Sequence, residues 1–376
     1  MLYYLALWID RILNPPGFGV FQYITFRSAA AAITSLLISF LIGPKIIKFL
    51  RKKQIKEQNK NELNGVGNHS LKAGTPTMGG IIILCAILIP TFLWGDIKNA
   101  YVITIFIATL WMGMVGFLDD YLKVVKKKPK GLIARWKLVG QITLGIFIGV
   151  LIYFFPEVFA DNFEKFNTLT TVPFAKNFNF DFSYFYIPVV IFIITATSNA
   201  VNLTDGLDGL AIGTVGIAFL SISIITYVTG NIIYSDYLNI IYLKGSGELT
   251  IFCAALVGAA LGFLWYNSYP AQIFMGDTGS LALGSALGVI SILIKKELLL
   301  PIIGGVFFAE TLSVILQVSY FKYTKKKYGE GRRLFLIAPL HHHFEKKGLH
   351  ESKIVVRFYI VAVMLAIIAM TTFKVR

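Results

Sequence analysis

The side chains able to do chemistry fall in four short runs. In Phe117-Leu118-Asp119-Asp120-Tyr121-Leu122-Lys123 two carboxylates stand side by side. Such neighbours repel, so one is held protonated, paired to Lys123 or compensated by a divalent cation, unless the run is only a solvated helix end. In the run from Asn199 to Leu210, polar residues recur at every third position: Asn199, Asn202, Asp205 and Asp208. Gly206 and Gly209 permit a tight turn there, and the helix that follows offers free N–H groups to an anion. An elaborate cap with Asp208 as N-cap residue is the plain alternative, but two Asn and two Asp exceed what a cap needs. The run Asn267 to Ser280 holds Asp277 just before a Gly- and Ser-bearing helix start. There a carboxylate either caps the helix or binds a hard cation such as Mg²⁺, which commonly takes one or two protein carboxylates and completes its shell with phosphates and water. The last run is Ala338-Pro339-Leu340-His341-His342-His343-Phe344-Glu345. Adjacent side chains diverge, so three neighbouring His suit phosphate hydrogen bonding and loop orientation better than a transition metal.

Two signals are weaker. Lys72 to Gly80, with Thr77, opens an apolar segment and can bring a cation and N–H donors to an anion. Glu310 and Gln317, seven residues apart, share one helical face. Polar residues inside a membrane helix face the bundle or a site; for Glu310 a structural Glu–Lys pair is an equal reading.

These runs are set in an apolar chain. Of 376 residues, 56% are hydrophobic and 15% charged, with mean hydropathy +0.69. Soluble domains carry about a quarter charged residues, so this surplus excludes a soluble fold, and its apolar content excludes disorder. Ten segments approach the length a bilayer demands: 26–49, 76–94, 100–118, 138–155, 185–202, 209–228, 249–266, 278–294, 298–321 and 354–373. The expected architecture is therefore all-α: a single integral-membrane catalytic domain over 1–376 with about ten transmembrane helices. A short interfacial N-terminal helix bearing Tyr3 and Trp8 precedes them, and no removable signal peptide is expected. Gly43-Pro44 should kink the first span. Glycine pairs at 145/149, 209/213, 258/262 and 284/288 should let helix backbones approach closely. No alternation suggests strands of a membrane barrel. Cys85 and Cys253 read as packing residues.

The net charge of +15 has a topological cause rather than a nucleic-acid partner. Basic residues gather in the loops after spans one, three and nine, which share one parity and so face the cytoplasm. The opposite loop 156–184 has only Lys165 and Lys176 against four acids. Lys295-Lys296 is the one discordant pair. Both termini then lie outside, and all four motif runs lie on the cytoplasmic face. Carboxylates for Mg²⁺, cations for phosphate oxygens and a lipid setting together suggest phosphoryl transfer between a soluble nucleotide and a lipid phosphate.

At FLDDYLK, NAVNLTDGLDGL, IFMGDTGS and PLHHHFE the chain resembles the bacterial phospho-N-acetylmuramoyl-pentapeptide-transferase family, within the wider polyprenyl-phosphate N-acetylhexosamine-1-phosphate transferases. TPTMGG and the span pattern extend the resemblance over nearly the whole chain, and HHHFE with TPTMGG favours the muramoyl-pentapeptide branch. The resemblance implies transfer of phospho-MurNAc-pentapeptide from UDP-MurNAc-pentapeptide to undecaprenyl phosphate, giving lipid I and UMP in the bacterial plasma membrane, with Mg²⁺ required and a homodimer open. Carried over by position, Asp277 resembles the Mg²⁺ ligand, and Asp119 and Asp120 the pair handling the lipid phosphate, with Asp119 the expected proton acceptor. His342 joins them as catalytic. Asn202, Asp205, Gly206, Leu207, Asp208, Asn267, Phe274 and Gln317 resemble the nucleoside pocket, Phe274 being available to stack on uracil. Lys72, Thr77, Lys123, Lys137, His341 and His343 resemble the phosphate and sugar side. A sister transferase using a UDP-N-acetylhexosamine, or a transporter, are the competing expectations; the transporter is disfavoured because the acids gather at one face rather than at mid-membrane.

Overall fold

A computed structural model describes residues 1–52, 74–128, 131–175 and 178–373. Its helices, in chain order, are α1 (Leu2–Leu13), α2 (Ile24–Lys52), α3 (Gly80–Trp94), α4 (Ala100–Val124), α5 (Ala134–Phe154), α6 (Tyr186–Thr204), α7 (Leu210–Thr229), α8 (Ile232–Tyr237), α9 (Leu249–Asn267), α10 (Gly276–Leu293), α11 (Leu300–Ile303), α12 (Gly305–Tyr328), α13 (Leu340–Lys346) and α14 (Glu351–Thr371). Eight of these, α2, α4, α5, α6, α7, α9, α10 and α14, are long and apolar enough to cross a membrane. The other two expected spans differ. The segment 76–94 becomes the 15-residue α3, because 76–79 is spent in a turn that pairs with another loop. The segment 298–321 breaks into α11 and α12, which meet at 84° across Gly304. The expected kink at Gly43-Pro44 does not interrupt α2, which stays helical to Lys52.

The all-α expectation needs one correction. In the loop between α5 and α6, β1 (Leu169–Thr171) pairs antiparallel with β2 (Asn179–Asp181), Thr170 opposite Phe180. This ribbon also explains the discordant lysines. The Lys295 ammonium donates to the Asn167 carbonyl and to Tyr186 Oη, both at 2.7 Å, and lies 4.8 Å from the Phe163 ring centre. Tyr186 in turn donates to Glu297 at 3.3 Å, and the Thr170 hydroxyl donates to the same carboxylate at 2.5 Å. Lys296 donates to the Thr171 hydroxyl at 3.1 Å. Both lysines are buried, and burial pushes Lys295 down to about 8. They hold the ribbon to the bundle and so carry no topological information.

α10 occupies the centre. Every residue from Thr278 to Leu293 is buried, beneath α4 on one side and α6 on another. Small residues make this possible, since bilayer lipid supplies little hydrophobic drive and close packing must replace it. All four expected glycine pairs serve that end. Gly284 and Gly288 lie against Ser198 and Thr197 of α6, Gly145 and Gly149 against Ile191 and Ile187, Gly258 and Gly262 against Ala32 and Ser39 of α2, and Gly209 and Gly213 against Tyr359 of α14. At the far end from the motifs, buried Arg27 pairs twice with Glu248, at 2.6 and 2.8 Å, tying α2 to the start of α9. On α1 Trp8 is exposed, whereas Tyr3 packs under the Arg27 guanidinium, 4.1 Å from its ring centre. Cys253 is buried and Cys85 half-buried, both unpaired.

Candidate active site

Three elements bring three carboxylates together. Asp119 and Asp120 stand in the last turns of α4, and Asp277 is the second residue of α10. Their backbones meet because Gly116 lies against the Asp277 carbonyl and Gly80 against the Gly279 amide; a Cβ at either would overlap main chain. Residues 76–80 pair edge to edge with the loop before α10: Phe274 N–H donates to Pro76 at 2.9 Å, Gly79 to Phe274 and Gly80 to Met275 at 2.8 Å.

The adjacent aspartates play separate parts. Asp120 turns into the protein, where Oδ1 accepts the Asp277 N–H at 3.1 Å and Oδ2 accepts the Thr278 N–H at 2.9 Å and the Thr278 hydroxyl at 2.6 Å. It satisfies the free amides at the start of α10 and complements that helix's positive end. The capping carboxylate is thus Asp120, from another helix, and Asp277 is released to point outward. Gly276, with φ of +73°, makes the turn into α10; a Cβ there would meet Asp120 Oδ2 at 2.6 Å.

Asp119 Oδ1 accepts the Leu132 N–H at 2.7 Å, while Oδ2 contacts Lys123 at 2.5 Å and Lys137 at 2.9 Å. Asp277 shares the same two lysines: its Oδ2 lies 2.9 Å from Lys123 and also contacts Lys137. Its Oδ1 accepts from Asn202 Nδ2 at 2.8 Å, and Asn202 donates to Ser280 at 2.8 Å as well. Exposure separates the carboxylates: Asp119 is 0% and Asp120 3% exposed, against 15% for the Asp277 side chain.

One oxygen or more from each carboxylate lies within 4.8 Å of the others. Hard oxygen donors of this kind match Mg²⁺. With all three ionised, the two ammonium groups leave one net negative charge, so the site can also accept a cation. The residues fit a metal, with Asp277 the donor facing out.

Around this cluster the expected nucleoside residues form a supporting loop. Asp208 Oδ2 accepts the Ala271 N–H at 3.0 Å, and its own N–H donates to Glu351 at 2.6 Å. It does not cap α7; Gly209, with φ of +81°, holds that position without a side-chain bond. Asn267 is buried, accepts the Gly209 N–H at 3.1 Å and donates to the Ile273 carbonyl at 2.9 Å. Leu207 packs with Leu210, Ile354 and Val355. Asp205 and Phe274 remain partly accessible, and Thr77 is buried beside Gly276. Lys72 lies outside the described residues.

The histidines are individually engaged. His341, on α13, has its ring against Gly206 and its backbone N–H donating to Glu310 at 3.2 Å. Of the two readings of Glu310, the structure favours the one that faces it into the bundle, where it meets His341 rather than a lysine. His342 Nδ1 lies 2.6 Å from Glu345. His343 Nδ1 accepts the Leu336 N–H at 3.1 Å; burial first, then Lys347, hold its pKa below the usual histidine value. Gln317 Oε1 accepts the Leu334 and Phe335 amides, at 3.0 and 2.9 Å, anchoring the loop before α13. Gln317 and Glu310 thus share the work of placing the histidines. Thr278, Ser280 and Glu351 were not singled out from the sequence. The first two lie within or beside the GDTGS run, but Glu351 carries no local signal.

Two independent likenesses bear on this arrangement. Residues 102–295 match the profile of glycosyl transferase family 4, and the chain belongs to that class. Within it, residues 72–84 match the first phospho-N-acetylmuramoyl-pentapeptide-transferase signature. Proteins of that name from Flavobacterium johnsoniae, Chloroherpeton thalassium and Chlorobium limicola are 51%, 53% and 54% identical, each aligned over 100% of both chains. The chain is a member of the phospho-N-acetylmuramoyl-pentapeptide-transferase family.

Proposed function

We propose that this protein transfers phospho-MurNAc-pentapeptide from UDP-MurNAc-pentapeptide to undecaprenyl phosphate, yielding lipid I and UMP for peptidoglycan synthesis. One observation carries the reading: Asp119 and Asp277 share Lys123 and Lys137 at one end of α4, α5 and α10, with Asn202 completing the ring. Two polyanions have to meet, so neutralising charge dominates the barrier. An oxygen of the lipid phosphate attacks the β-phosphorus of the donor, and the bond to the UMP oxygen breaks. Lys123 and Lys137 turn from Asp277 towards the pyrophosphate oxygens. Asp119, paired to both lysines, sets where they stand and takes the proton of a monoprotonated lipid phosphate. Asp277 holds Mg²⁺, which when bound draws charge from the pyrophosphate. Asp120 keeps Asp277 in place. Phe274, Asp205 to Asp208, Asn267 and Gln317 are read as the nucleoside side, and His341, His342, His343, Thr77 and Lys72 as the sugar and phosphate side.

The same reading gives ten membrane crossings, α3 and the α11–α12 pair included, with both termini extracytoplasmic. The active site faces the cytoplasm of a bacterial plasma membrane, and one integral-membrane domain is able to pair as a homodimer. Purified protein given UDP-MurNAc-pentapeptide, undecaprenyl phosphate and Mg²⁺ is expected to release UMP. No UMP, or equal release from a UDP-N-acetylhexosamine, overturns the proposal.

A further inference from the structure

Glu310 is a fully buried carboxylate in α12. Such a group is costly away from water and is retained where it holds something. Its Oε1 accepts the His341 backbone N–H at 3.2 Å, and its Oε2 stands 3.3 Å from Nδ1 of the same residue. On the other edge of the ring, Nε2 presses against Gly206, where even a methyl group would overlap it. His341 is 1% exposed, and among the described residues neither ring nitrogen has a hydrogen-bond partner of good geometry. Glu310, His341 and Gly206 therefore form a line from α12 through α13 to the turn between α6 and α7.

We propose that Glu310 is a positioning residue for nucleotide binding, a role that rests on the reading of the 205–208 turn as the nucleoside side. The carboxylate holds the His341 backbone through its N–H and lies 3.3 Å from Nδ1, so its charge keeps the ring oriented with Nε2 facing the turn. Glu310 touches no substrate. It acts by keeping His341 where the turn needs it, which is why a buried charge is tolerated inside an apolar helix.

The test separates positioning from plain stability. In Glu310→Gln the shape is kept and the charge lost. UMP binding to the full chain in detergent, measured by calorimetry, should weaken about tenfold. The donor KM should rise by a similar factor, with the lipid-phosphate KM and kcat unchanged and the melting temperature kept. In the His341→Ala background the same change should add nothing, because the two residues act through one contact. Additive effects, or a lowered melting temperature with unchanged UMP affinity, overturn the inference. Glu310→Asp, which restores charge at a shorter reach, should recover part of the affinity, and an Asp variant no better than Gln also counts against it. Wild-type protein that binds UMP but releases none from the donor defeats the proposed function alone, since the affinity comparison still decides the role of Glu310.

Discussion

Asp120 Oδ2 accepts both the backbone N–H and the side-chain hydroxyl of Thr278, at 2.9 and 2.6 Å, so a carboxylate from α4 fixes the start of the helix that carries Asp277. The two adjacent aspartates of the FLDDYLK run are therefore not a symmetric pair. One caps α10, and the other pairs with Lys123 and Lys137.

Asp120→Asn should remove the charge that complements the start of α10 and turn an amide N–H towards groups that themselves donate. A loss of about 1–3 kcal/mol in unfolding stability is expected, with turnover down about 100-fold. Thr278→Val removes one of the three bonds and should cost turnover only about tenfold. UMP release and thermal unfolding in detergent check both. A Thr278→Val protein as impaired as Asp120→Asn would contradict the capping role.

Asp277→Asn should abolish the response of UMP release to Mg²⁺ while the fold survives, and chelation of Mg²⁺ should do the same to the wild type. Lys137→Met has two opposed consequences. It removes a positive charge that competes for Asp277, so apparent Mg²⁺ affinity rises. It also removes a cation from the pyrophosphate, so kcat falls, by about 100-fold or more. A Mg²⁺ titration of UMP release reads both; an affinity that falls with kcat overturns the shared-carboxylate account.

His343 gives a pH dependence. Its folded-state pKa lies below the unfolded value near 6.5, so the neutral ring is the one the fold prefers. The stabilisation is fully present above that unfolded value. It is lost as pH falls from there through the folded pKa, where Nδ1 takes a proton and can no longer accept the Leu336 N–H. Amide exchange at Leu336, corrected for its intrinsic rate, should be protected at pH 7.5 and lose protection towards pH 5. Protection that does not change over that range defeats it.

Tyr186→Phe tests the buried lysine cluster. The hydroxyl accepts from Lys295 and donates to Glu297, so its removal takes one buried partner from each and leaves them the Asn167 carbonyl and the Thr170 hydroxyl. About 1–3 kcal/mol of stability should go, while KM and kcat at low temperature stay near the wild-type values because the cluster lies away from the carboxylates. A normal melting temperature would show that the hydroxyl is dispensable.

Much of the site was legible because its chemistry is local. Asp119, Asp120 and Asp277 are polar residues in apolar surroundings, and each sits where hydropathy ends. The glycine pairs were legible for the same reason: small residues at four-residue spacing leave a backbone face bare. What stayed hidden depends on partners far apart in sequence. Nothing near Asp120 announces that it caps a helix 157 residues away, and nothing near Glu310 names His341. Lys295-Lys296 looked like a topological signal because charge counting ignores burial. The break at Gly304 was missed because composition measures how apolar a segment is and says nothing of its direction.

The enclosure of α10 has a mechanical consequence. Its 18 residues run about 27 Å, close to the hydrocarbon thickness of a bilayer, yet surrounding helices keep it from lipid. Thinner or thicker membranes tilt the outer helices first. The end of this central strut that carries Asp277 is thereby insulated from changes in the surrounding lipid.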